Sequence, residues 1–139
     1  MLRVIFLSFI FWIRMMPTCE PQTAPQKKRY TVAEWLAEAE RRFGPHGRDW
    51  KFVCPMCGTV ASGADYVAAG LTPQQAEGQI AFSCIGRSLP APRRAFGEGG
   101  AGAGPCDYTT GGLLNVSPIT VVDEDGKEHC RFAFAEDTP

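Results

Sequence analysis

The hydrophobic positions of this chain follow three rhythms: an unbroken apolar run at its start, helical spacing further on, and strand-like alternation near its end. Val32, Trp35, Leu36, Ala39 and Phe43 recur at helical intervals. Thr31-Val32-Ala33-Glu34 has the form of a capping box, with a hydroxyl at the N-cap and a carboxylate three residues on. Gly44-Pro45 stops the pattern, so a helix is predicted from Thr31 to Phe43, with Trp35 and Phe43 turned into a core. His46 and Gly47 then read as a solvated turn. Trp50-Lys51-Phe52-Val53 alternates as a short strand. Ala64 to Ala69 reads as a short helix stopped by Gly70. Thr72-Pro73-Gln74-Gln75 combines an N-cap, a proline at the first helical position and a glutamine three residues after the cap, so another short helix runs to about Gln79. Ile80 to Cys84 reads as a strand and Gly86 to Pro105 as loop, with a mobile Gly/Ala-rich run from Gly97 to Gly104. Ile119 to Val122 and His129 to Phe134 flank Asp123-Glu124-Asp125-Gly126, where Asp-Gly signals a hairpin. The fold class expected is α+β: a small zinc-stabilised domain with short helices packed on an antiparallel sheet and a C-terminal β-hairpin.

The first rhythm stands apart. Leu2 to Ile13 are almost wholly apolar, yet a membrane-spanning helix needs about 20 such residues, so a span is not expected. A secretory signal has an apolar region of this length, but no small-x-small cleavage pattern follows it. Translation starting at Met15 or Met16 is the preferred reading, with a signal or anchor as the alternative. Pro17 to Arg29, rich in Pro, Gln and Lys, lacks the apolar surface to order itself and reads as a flexible leader. The expected organisation is therefore a segment 1–29 followed by one domain over 30–136. A chain of 139 residues allows one core, and 15 glycines with 11 prolines imply a loop-rich fold that gains from a staple.

Six cysteines can supply that staple. Cys54-Pro55-Met56-Cys57-Gly58 is a tight turn in which two thiolates two residues apart can bite one ion, and Gly58 permits the positive φ that such a turn needs. Cys84 and Cys106, though widely separated, complete a four-cysteine Zn2+ site. A site that substitutes His129 or Cys130 is the alternative, and because neighbours in a strand face opposite ways, only one of the two could join. A redox dithiol at Cys54 and Cys57 is the rival chemistry, but such motifs sit in an alternating βαβ pattern that this sequence lacks. Four thiolates close a zinc coordination shell, so the metal is expected to be structural. With two histidines and no HExxH, GxSxG or phosphate-binding glycine loop, no catalytic residue is assigned. Zinc-bound thiolates imply a reducing setting.

Net charge is −1, but it is unevenly spread. Residues 41–94 hold seven Lys/Arg against three Asp/Glu, and residues 95–139 two against eight. A nucleic acid would meet Arg87, Arg93, Arg94 and Lys51, with Arg41 and Arg42 further off, and would be held weakly because few phosphates are neutralised at once. A protein partner would meet the acidic hairpin and tail.

Three blocks carry a resemblance: Trp50 to Val60 around the Cys54-Pro55-Met56-Cys57-Gly58 turn, Ile80 to Arg87 with Phe82-Ser83-Cys84-Ile85-Gly86-Arg87, and Cys106-Asp107-Tyr108-Thr109-Thr110-Gly111-Gly112-Leu113-Leu114. With the closing hairpin, they make residues 31–136 similar to a family of small phage and prophage zinc-ribbon-like proteins that has no assigned activity. The resemblance implies a phage-related intracellular accessory protein, a binding module for a host protein or nucleic acid without an evident small-molecule substrate, and supports the four cysteines. Thiol redox chemistry at Cys54 and Cys57 remains the alternative function.

Overall fold

The computed structural model describes residues 27–98 and 102–137. The apolar run 2–13, the candidate starts Met15 and Met16, and Cys19 lie outside them, as do residues 99–101 of the Gly/Ala-rich run. Nine helices and strands are described: β1 (Lys28–Thr31), α1 (Val32–Phe43), β2 (Lys51–Val53), β3 (Val60–Ser62), α2 (Gly63–Ala68), α3 (Pro73–Gln79), β4 (Ile119–Val122), β5 (Glu128–Arg131) and β6 (Ala133–Phe134). Short 3-10 turns cover Gly47–Asp49, Ile85–Ser88 and Ala135–Asp137. The class is α+β. Among the described residues, no helix is long and apolar enough to cross a membrane.

Each helix begins on a capping box. Thr31 and Glu34 exchange side-chain and backbone bonds at the start of α1, as the sequence predicts, and Gly44 at φ 89° terminates it. Ser62 with Asp65 starts α2 and Thr72 with Gln75 starts α3. Each box satisfies two amides that the helix leaves without an intrahelical acceptor.

The strands form two three-stranded sheets, one in the order β1-β4-β5 and the other β3-β2-β6. The first contains a parallel pair, Lys28 opposite Ile119 through Thr31 opposite Val122. The other strand pairs are antiparallel, as expected, and the parallel pair moves Lys28 and Arg29 out of the expected leader into an ordered strand. The hairpin forms as expected, Ile119 opposite Arg131 through Val122 opposite Glu128, with Gly126 at φ 78°. Its second strand is shorter than predicted. Phe132 donates its amide to Ala81 O (2.8 Å), and the chain then crosses to the other sheet, where Phe134 pairs with Phe52.

Ile80 to Cys84 is not a strand. Ile80 caps α3, and buried Ala81 turns the chain at φ 59°. Phe82 and Ser83 both donate to Gln79 O, at 3.0 and 2.9 Å. Only one bridge follows, Ser83 to Thr109. A left-handed alanine carries a steric penalty. Here the Phe132 amide bonded to its carbonyl helps to hold it.

The main core runs between the sheets and under α1. Phe52, Phe132 and Phe134 are buried, Trp35 stacks on Phe52 with centroids 5.6 Å apart, and Phe52 meets Phe134 at 5.3 Å. Trp35 and Phe43 thus pack as expected. A smaller cluster of Ala61, Tyr66 and Ala76 ties α2 and α3 to β3. The two clusters meet at the cysteines, because Ile85 packs on both.

Candidate metal centre

Three separate pieces of chain deliver the four cysteines. Cys54 follows β2, and its turn closes by Gly58 N donating to Cys54 O and Cys54 N donating to Thr59 O, both at 2.9 Å. Gly58 takes the expected positive φ, 73°, which lets the chain double back after Cys57. Cys84 lies after the bend at Ala81, with its amide bonded to Tyr108 O (2.9 Å). Cys106 sits in a bridge to Arg93, flanked by Arg93 N to Pro105 O (3.1 Å) and Asp107 N to Arg93 O (2.8 Å).

The three strands of connection lock onto one another by backbone contacts. Gly86 lies against Cys106 so closely that a Cβ there would stand 2.8 Å from Cys106 N and 2.9 Å from its carbonyl carbon, and closer still to the oxygen. Gly102 N donates to Cys57 O (3.0 Å), so one end of the Gly/Ala-rich run is fastened to the first cysteine turn. Tyr66, from the smaller cluster, donates its hydroxyl to Ser83 O (2.5 Å). Asp107 Oδ1 accepts from Ala95 N (2.7 Å). Sequence reasoning missed these supports. Gly86, two residues after Cys84, was the one legible sign.

All four Sγ atoms lie within 4.8 Å of one another, and each cysteine is at most 2% exposed. Cys54 Sγ is 3.7 Å from Cys106 Sγ, and Cys57 Sγ is 3.7 Å from Cys84 Sγ. The edge of a tetrahedron with zinc–sulfur bonds of about 2.3 Å is ~3.8 Å. The spacing thus fits four thiolates around one ion. None of the described cysteines is in a disulfide.

The protonation of the cluster points the same way. The neighbouring Cys84 thiol, reinforced by burial, pushes the Cys54 thiol far up, while Cys54 draws Cys84 down to about 5 against the effect of burial. Burial leads in pushing Cys106 up to about 11. Backbone amides work in the opposite sense at each position, those of Met56 and Cys57 at Cys54, Gly86 and Cys106 at Cys84, and Tyr108 at Cys106. Buried thiolates this close cannot all ionise by themselves. Amide donors beside Cys54, Cys84 and Cys106 nonetheless favour thiolate there, and a divalent cation would replace the protons that otherwise hold the sulfurs together. Thr59 Oγ1, 3.1 Å from Cys57 Sγ, adds a hydroxyl beside a fourth sulfur.

His129 and Cys130 take other partners. His129 Nε2 is 2.8 Å from Asp123 Oδ2, and Asn115 Nδ2 donates to Cys130 Sγ at 2.6 Å. Neither joins the cluster. The basic residues divide as well. Arg87 donates to Asp107 O (3.0 Å) and Arg93 to Glu98 O (3.1 Å), so both border the Cys106 segment, with exposed Arg94 next in sequence. Lys51 lies instead on β2, in a groove with Arg42, Asp49 and Glu136.

A family model described as VVA0879-like matches residues 31–135, and the chain belongs to that family. The matched stretch contains all four clustered cysteines and the hairpin. No curated protein and no solved structure matches the chain.

Proposed function

We propose that in this VVA0879-like protein Cys54, Cys57, Cys84 and Cys106 hold one structural Zn2+, and that the zinc-stabilised domain is a binding module, not an enzyme. The observation that carries the reading is the set of four buried thiols with separations suited to a tetrahedral ion. Four sulfurs leave no coordination position for water, which is the arrangement of structural zinc. The donor set supports zinc, since an all-thiolate tetrahedron suits zinc or iron–sulfur chemistry and suits magnesium and calcium poorly. A phage-related role in the host cytoplasm belongs to the same proposal, and rests on the sequence resemblance.

Of the partner classes, a protein is favoured over a nucleic acid. Phe96, Leu114 and Val116 are exposed beside the Cys106 segment, and Leu113 is fully so. Phe96 meets Tyr108 edge-on at 6.2 Å, and Val116 N donates to Tyr108 Oη at 2.9 Å, so these apolar residues are braced by the segment that carries Cys106. Arg87 and Arg93 meanwhile spend donors on backbone carbonyls. The redox alternative is less supported, because a dithiol that exchanges with substrate must be reached, and Cys54 and Cys57 are buried.

Native mass spectrometry of the protein purified from its own host tests the reading, with one zinc per chain expected. A metal-free protein with a reversible Cys54–Cys57 disulfide would establish the redox alternative. Nanomolar binding to DNA or RNA at physiological salt would replace the protein partner by a nucleic acid.

A further inference from the structure

A cleft of about 460 Å³ opens between α1, α3 and the end of β5, and it shares no residue with the cysteine cluster. Its walls are largely apolar: Trp35 and Leu36 from α1, Trp50 ahead of β2, Val67 from α2, and Ile80 at the end of α3. Trp35 and Trp50 meet edge to face with centroids 6.1 Å apart, so two aromatic surfaces stand at right angles in one wall. This size and lining are those of a small-molecule site.

Arg131 is the polar group in this apolar setting. Its guanidinium donates to Cys130 O (2.9 Å) and lies 5.5 Å from the Phe82 ring centre. Among the described residues no carboxylate pairs with it. Burial lowers its pKa, the sign of a cation partly stripped of water. Such a cation gains most from an anion brought into the same cleft, where screening is weak. The other charges, Arg48 and Glu77, are exposed, and Arg48 is engaged with Asp49 at 3.6 Å. One desolvated guanidinium suits one negative charge better than a phosphate dianion. Trp35 Nε1 is also buried, with no hydrogen-bond partner among the described residues.

Gly47, Gly63 and Gly78 line the cleft, and a Cβ at Gly47 or Gly78 would meet nothing within 4 Å. Gly78 stands inside α3, where glycine is the poorest helix former after proline, so a larger residue there is compatible with the helix.

We infer that this cleft binds a small apolar carboxylate, its aromatic or branched body against Trp35 and Trp50 and its carboxylate on Arg131. The inference stands apart from the metal reading, since none of the four cysteines lines the cleft.

The probe is 3-phenylpropionate, compared with its neutral amide, titrated into the zinc-loaded full-length protein and followed by amide NMR shifts. The carboxylate is expected to bind with a Kd of about 1 mM or tighter, as befits so small a ligand, moving the signals of Trp50, Gly78 and Arg131. The amide should bind about tenfold more weakly for want of the charge contact. Arg131→Gln should erase that preference. Gly78→Leu, which fills the cleft with a better helix former, should keep or raise the melting temperature while abolishing binding. Equal affinity for acid and amide, no binding of the carboxylate, shifts confined to other surfaces, or parental affinity in Gly78→Leu would each overturn the inference.

Discussion

Gly86 and Cys106 are in backbone contact: the space where a side chain at position 86 would begin is already filled by the main chain of Cys106. The fold thereby joins the two solitary cysteines, Cys84 two residues before the glycine and Cys106 against it. Replacement by alanine must push these segments apart. Gly86→Ala should weaken metal retention and lower stability by about 2–4 kcal/mol, the range of overpacked or strained core sites. Thermal melting with and without chelator checks both effects, and a parental melting curve would show that the contact is looser than described.

The four cysteines should behave as a unit. Serine at position 84 or 106 is expected to be as damaging as serine at 54 or 57, because a hard hydroxyl substitutes poorly for thiolate on zinc. Structural zinc can contribute on the order of 10 kcal/mol to folding, so loss of the ion should unfold much of the β core. Cys130→Ser is the control and should retain one zinc per chain, since Cys130 Sγ contacts Asn115 outside the cluster. Metal analysis of the purified variants decides the matter. Loss of zinc from Cys130→Ser with retention in Cys106→Ser would refute the ligand set.

Tyr66→Phe removes a single hydroxyl, the one that donates to Ser83 O next to Cys84. A buried carbonyl left without its donor costs about 1–3 kcal/mol. The variant should therefore melt lower yet still bind one zinc, which denaturant titration with parallel metal analysis can read. Full retention of stability would mean that another donor serves Ser83.

Asp123 should titrate below the ordinary carboxylate range, because His129 leads in lowering its pKa, with the Lys127 and Asp125 amides in support. A carboxyl whose pKa is depressed by folding adds stability above its unfolded pKa of about 3.9 and loses it as pH falls through the lower folded value. The hairpin contribution should accordingly fade only in strong acid. Carbon-detected NMR of the Asp123 carboxyl is the measurement, and His129→Gln should move its midpoint upward. An unchanged midpoint in that variant would mean that the pair is not coupled.

Features written within a few residues were the ones legible in the sequence. The capping boxes at Thr31–Glu34 and Thr72–Gln75 lie within one helical turn, as does the Asp-Gly turn of the hairpin, and all three form. The Ser62–Asp65 box is equally local but passed unread, so α2 begins one residue earlier than the predicted Ala64. β1 was illegible for a different reason. Its residues Lys28–Thr31 are mostly exposed and polar, and what makes them a strand is a parallel partner at Ile119–Val122. Phe132 and Phe134 share the parity of one continuous strand, yet a remote carbonyl, Ala81 O, takes the Phe132 amide, so β5 ends at Arg131 and Phe134 pairs in the other sheet. The centre divides similarly. Cys54 and Cys57 announce themselves by spacing, whereas the convergence of Cys84 with Cys106 depends on a bridge to Arg93 and a contact with Gly86 that no local pattern encodes.

The parallel pairing of Lys28 with Ile119 also fixes an order of events during vectorial synthesis. The strand at Lys28 must wait for nearly the whole domain to leave the ribosome before its partner exists, and such distant pairing is the slow part of folding. All four sulfurs emerge earlier, since Cys106 precedes Ile119. At roughly 5–20 residues per second, a nascent chain has an interval of about a second in which the metal can be captured before either sheet can close.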